Sequence, residues 1–103
     1  MEKKEIYDFT RKAYSRLKDP DFALCFARLR GVHGYCFVGG GFIQINPRGE
    51  VLSTLVHELL HSMHPDWSET KVLRSESAIM SALSHRQMIN LMFAMCEALK
   101  RSH

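Results

Sequence analysis

No stretch of this chain approaches the roughly 20 consecutive apolar residues that a membrane-spanning helix needs. The first eight residues, Met-Glu-Lys-Lys-Glu-Ile-Tyr-Asp, hold no apolar core of the kind a secretory leader carries. A cytosolic protein with no membrane partner is therefore expected. Cysteine is also scarce. Cys25, Cys36 and Cys96 are odd in number and show no C-x-x-C spacing, which argues against both a disulfide framework and a cysteine-built zinc site. They read as buried apolar fillers, with one exception kept open, a thiolate that caps a metal, a place that His103 can also take. The chain lacks any block of Lys and Arg interleaved with aromatics, and its formal charge of +3 is spread along its length. Nucleic acid is not indicated as a partner.

What is present suits a small soluble domain. Apolar residues make up 46% and charged residues 24% of 103 positions, enough for one modest core and too little chain for two. A single domain over residues 1–103 is expected. Residues 3–17 place Ile6, Phe9, Ala13, Tyr14 and Leu17 three or four apart, an amphipathic helix that ends before Asp19-Pro20-Asp21. Residues 22–30 are read as a strand. Residues 35–38 and 42–45 read as two more strands joined by Gly39-Gly40-Gly41. That triplet lacks a following Lys-Ser/Thr and opens no helix, so it is a hairpin turn rather than a phosphate loop.

Residues 50–63 return to helical spacing, with Leu52, Val56, Leu59 and Met63 on one face. Asn46 to Gly49 supply a turn ahead of this helix and Pro65 follows it. A next helix, capped by Asp66 or Ser68 with Glu69 in its first turn, is expected to reach about Leu83. A last one starts near Ser84 and carries Met88, Ile89, Leu91, Met92, Met95, Cys96 and Leu99, with its methionines expected in the core. The fold class is α+β: an N-terminal helix, a small antiparallel sheet, then three helices.

Within the helix over 50–63 lies His57-Glu58-Leu59-Leu60-His61. Residues four apart on a helix stand about 5–6 Å from one another on one face, so His57 and His61 can share one Zn2+ ion with Glu58 beside it as general base. Catalytic zinc takes three protein ligands and keeps a fourth position for water. Three candidates for the third ligand remain. Glu69, at the start of the following helix, is preferred. Glu76, two turns further on the same face, comes second, and whichever carboxylate does not bind metal can fix a ligand histidine by hydrogen bonding. His64 comes third, because a straight helix would carry it about 10.5 Å along the axis from His57. The chemistry these groups point to is hydrolysis of a protein or peptide bond, with Glu58 moving the proton. Tyr35, His64 and His85 are candidate donors to the oxyanion.

At these residues the chain resembles the zincin superfamily of metallopeptidases. Residues 42–69, with Phe42-Ile43-Gln44-Ile45-Asn46-Pro47, the His-Glu-x-x-His helix and Pro65-Asp66-Trp67-Ser68-Glu69, are similar to compact zincin-like proteins of bacteria and their phages. The resemblance implies a minimal zincin-like domain and a strand beside the cleft that pairs with an extended substrate. It also implies zinc held by His57, His61 and Glu69, and Glu58 as base. Departures are visible. His64 and Trp67 stand where the metzincin pattern has a glycine and a third histidine, and Leu73 and Met80 stand four residues after Glu69 and Glu76, where a gluzincin has aspartate. The alternative function is a non-catalytic zincin-fold module that binds metal or another protein.

Overall fold

The computed structural model describes residues 1–37, 39–48 and 50–102. Three positions with sequence-based expectations lie outside the described residues: Val38 as a strand end, Gly49 in the turn before the motif helix, and His103 as a candidate cap for the metal. Among the described residues the elements are α1 (Lys3–Lys18), β1 (Ala23–Phe26), β2 (Gly34–Cys36), β3 (Phe42–Ile45), α2 (Val51–Met63), α3 (Glu69–Ala82) and α4 (His85–Arg101). This is the α+β order that the sequence predicts. No helix is long and apolar enough to cross a membrane.

Helix α1 buries Ile6, Phe9, Ala13 and Leu17 on one stripe and stops at Asp19, whose extended backbone is what the following Pro20 requires. It packs on α4. The Tyr14 hydroxyl donates to the Gln87 carbonyl at 3.3 Å. The Arg101 guanidinium donates to the carbonyls of Leu17, Asp19 and Phe22 at 2.7, 3.0 and 3.3 Å. Carbonyls at a helix end have no partner within the helix, so Arg101 satisfies that of Leu17 and ties the end of α4 to the end of α1 and the turn after it.

The sheet is mixed, a correction to the antiparallel expectation. Its order is β1-β3-β2, with β2 antiparallel and β1 parallel to β3. The physical reason is burial. β3 carries both Ile43 and Ile45 with no exposed surface, so it takes the centre, where each edge is paired, and β1 and β2 flank it. The strand expected over residues 22–30 is confined to Ala23–Phe26. Ala27 still donates to the Ile45 carbonyl at 2.9 Å, and the chain then turns away through Gly31, which sits at φ +75.

The two sheet edges differ. On β1 the Leu24 amide donates to Ser102 Oγ at 3.0 Å, so the end of α4 covers that edge. On β2 the His33 carbonyl accepts from Asn46 at 2.7 Å and the Phe37 amide donates to Phe42 at 3.0 Å. Antiparallel pairing alternates, so the backbone groups of Gly34 and Cys36 point away from β3.

Helix α2 lies under β2 and β3 and beside α3. Covered on two sides, it buries a broader stripe than expected: Leu55, Val56, Leu59 and Leu60 are in the core, while Leu52 and Met63 are only partly buried. Helix α4 buries Leu91, Ala94, Met95 and Ala98, but Ile89, Met92 and Phe93 face outward. The methionine expectation thus holds for Met95 and not for Met92. The cysteines are also not buried fillers. Cys25 and Cys36 are half-buried and Cys96 is exposed, since Cys25 faces opposite to the buried Leu24 and Cys96 follows the buried Met95 by one helical step.

Candidate functional site

Helix α2 brings His57 and His61 side by side, ring centroids 4.9 Å apart. The chain then leaves the helix at His64, whose φ of −133 and ψ of 71 are non-helical ahead of Pro65. Trp67 donates back to the His64 carbonyl at 3.0 Å, and Ser68 opens α3 by accepting from the Lys71 amide at 3.2 Å. This turn delivers Glu69, the first residue of α3, directly opposite the two histidines.

Glu69 spans them. Its Oε1 lies 2.8 Å from His57 Nε2 and its Oε2 lies 2.9 Å from His61 Nε2. One donor atom from each of the three residues falls within 4.8 Å of the others. Glu76, two turns along α3, places Oε1 2.7 Å from His57 Nδ1. Of the three candidate third ligands, Glu69 therefore stands in the cluster and Glu76 stands behind His57. His64 is outside the cluster, because the turn at Pro65 sends its ring onto Trp67, centroids 3.8 Å apart and 5° from parallel.

The donor chemistry can be tested for fit to a cation. Both ring nitrogens of His57 face carboxylate oxygens, yet a neutral imidazole has only one N–H. Donating Nδ1–H to Glu76 leaves the Nε2 lone pair directed at Glu69, an arrangement that needs either a second proton or a cation between them. A neutral imidazole held through Nδ1, a second imidazole and a carboxylate form a donor set that suits zinc. The residues fit the metal.

Glu58 follows His57 on α2 and is only 6% exposed. Burial holds its carboxyl above the ordinary carboxylate range; His57 and His61 oppose that shift, and Glu69 and Glu76 add to it. Strand β2 roofs it, and a Cβ on Gly34 would stand 3.1 Å from Glu58 Oε2. The hairpin beyond β2 is fastened to the same helix: Ser62 Oγ donates to the Gly40 carbonyl at 2.7 Å, with Gly40 at φ +73 against the Ser62 backbone.

A cleft of about 1300 Å³ opens over this cluster, between β2, α2 and α3. His57, Glu58, His61, Glu69 and Glu76 all line it. Of the three candidate oxyanion donors, Tyr35 lines the cleft and His64 and His85 do not. Cys36 lines it too but is outside the His57–His61–Glu69 cluster. Burial, then the Glu58 carboxylate, push its thiol up, and Arg16 opposes them. Sequence reasoning missed His33, Arg48 and Leu73 as cleft residues. His33 and Arg48 arrive through the non-local pairing of β2 with β3. For Leu73 a signal existed in its spacing, four residues after Glu69 and three before Glu76. Comparison with protein-family models, with characterised proteins and with solved structures returned no match.

Proposed function

We propose that this chain is a zinc-dependent metallopeptidase, with His57, His61 and Glu69 holding the metal and Glu58 acting as general base. The observation that carries this reading is His57 facing carboxylates at both ring nitrogens, Glu76 at 2.7 Å and Glu69 at 2.8 Å, with a buried carboxyl, Glu58, beside it on the same helix. Zinc bound there supplies Lewis acidity, which lowers the pKa of a coordinated water and polarises a carbonyl oxygen.

The chain's own groups do the rest. Glu76 accepts the Nδ1 proton of His57 and so orients the ring and fixes its tautomer. Glu58 takes a proton from the attacking water at a carboxylate oxygen and returns it to the leaving amine. Its burial serves this role, because a carboxyl held above its usual range is a stronger base when ionised. The outward backbone groups of Gly34 and Cys36 offer an edge on which an extended substrate pairs. Of the candidate donors to a developing oxyanion, Tyr35 is the one whose residue lines the cleft. Three unpaired cysteines fit a reducing compartment, and the substrate is a cytosolic protein or peptide.

The test is cleavage of unfolded casein by zinc-loaded protein and by the Glu58→Gln variant. Cleavage by the parent, reduced at least about 100-fold in the variant at equal zinc content, supports the reading. A parent that binds zinc and leaves casein and its own purified interaction partners uncut makes it a non-catalytic metal-binding module.

A further inference from the structure

Helix α4 carries apolar residues on two opposite sides. It buries Leu91, Ala94, Met95 and Ala98 where it packs on α1 and β1. On its other side Ile89, Met92 and Phe93 are 51%, 49% and 69% exposed, and Cys96 is exposed with them. These four stand at i, i+3, i+4 and i+7, one continuous stripe of a helix. Apolar residues scattered singly over a surface need no explanation, but a stripe along one helix marks a contact face. Met88 and Leu99, partly buried against the core, close one flank of it.

The other flank holds charge. Arg86 and Glu97 are eleven residues apart, three turns of helix, so both project along the same flank of the stripe. Both are exposed, and among the described residues neither takes part in an ion pair. Two helices that pair antiparallel about a two-fold axis bring like flanks together, whereas a parallel pair brings unlike flanks together. The midpoint between Arg86 and Glu97 falls between Leu91 and Met92, next to Leu91, which is the midpoint between Ile89 and Phe93. A single axis there sets Arg86 of each copy against Glu97 of the other, and Ile89 of each copy against Phe93 of the other. Apolar and charged residues thus specify one register, and the surface is complementary to itself.

We propose that α4 is a self-association face, on which a second copy of this chain packs its own α4 antiparallel in a two-fold dimer. Among the described residues none of α4 lines the cleft over His57, His61 and Glu69, so each copy keeps its own complete site and zinc binding does not depend on the dimer. One pair of four-turn helices covers less than the roughly 800 Å² per partner of a standard interface. The dimer is accordingly weak, with a dissociation constant of about 10–100 μM.

Sedimentation equilibrium of the whole chain with reductant present, from about 5 to about 500 μM, brackets that constant. The parent passes from monomer to dimer across the range. Phe93→Glu stays monomeric with unchanged circular dichroism. Arg86→Glu and Glu97→Arg each weaken the dimer about tenfold, because both symmetric pairs turn into repulsions, and the double variant Arg86→Glu/Glu97→Arg regains the parent's affinity. A parent that is monomeric at the highest concentration overturns the proposal, as does a dimer that Phe93→Glu leaves intact. A dimer that requires Phe93 but is indifferent to both single charge variants, or that the double variant fails to restore, contradicts the antiparallel register.

Discussion

Gly34 lies so close to Glu58 that a Cβ on it would stand 2.9 Å from Glu58 Cγ, and 2.6 Å from Thr54 Cγ2. The backbone of β2 is thus pressed onto the motif helix at the proposed base, and only glycine permits that approach. Gly34→Ala must either lift β2 or displace Thr54 and Glu58. Overpacking of this kind costs about 1–3 kcal/mol, so the urea midpoint falls accordingly. Zinc content stays the same, because the added methyl meets Thr54 and Glu58 first. An unchanged midpoint contradicts the contact.

Glu76 touches His57 from behind, at Nδ1, and not the point where the three donor atoms converge. Glu76→Ala is expected to weaken zinc affinity about 10–100-fold while leaving the stoichiometry unchanged. Glu69→Ala, which removes a ligand, costs more. Competition with a chromophoric chelator measures both. Equal affinity in the parent and in Glu76→Ala contradicts the orienting role.

His64 and Trp67 form a second readable device, with Lys71 Nζ 4.3 Å from the Trp67 ring centroid. Burial first, then Lys12 and Lys71, hold the His64 imidazole below its ordinary range, against the pull of Asp66. A histidine whose folded pKa is lowered contributes stability that is complete above its unfolded value of about 6.5 and is lost as pH falls from there through the folded value. Trp67 is the one tryptophan of the chain, so its fluorescence reports this step. Quenching by the imidazolium sets in with a midpoint below about pH 6.5 and vanishes in His64→Gln. A midpoint above that value contradicts the assigned direction.

Much of the site is legible in local sequence patterns. Spacing of four puts His57 and His61 on one face, Pro65 ends their helix, and Ser68 opens the next with Glu69 in its first turn. A separation of seven places Glu76 on the same side as Glu69. What the sequence does not reveal depends on contacts between distant segments. The parallel pairing of β1 with β3 follows from which strand is most buried, a property of the assembled core. The contact of Gly34 with Glu58 joins residues that only the sheet brings together. The outward turn of Met92 on α4 arises because α1 and β1 cover only one side of that helix.

Metal content tests the proposed centre most directly. Protein purified without added metal should carry about one zinc per chain, as a site with three protein ligands does. His57→Ala and Glu69→Ala should each lose most of it while remaining folded by circular dichroism. A folded parent that takes up no zinc even after loading, or a Glu69→Ala variant that keeps the parent's zinc, contradicts the assignment of His57, His61 and Glu69 as a metal centre.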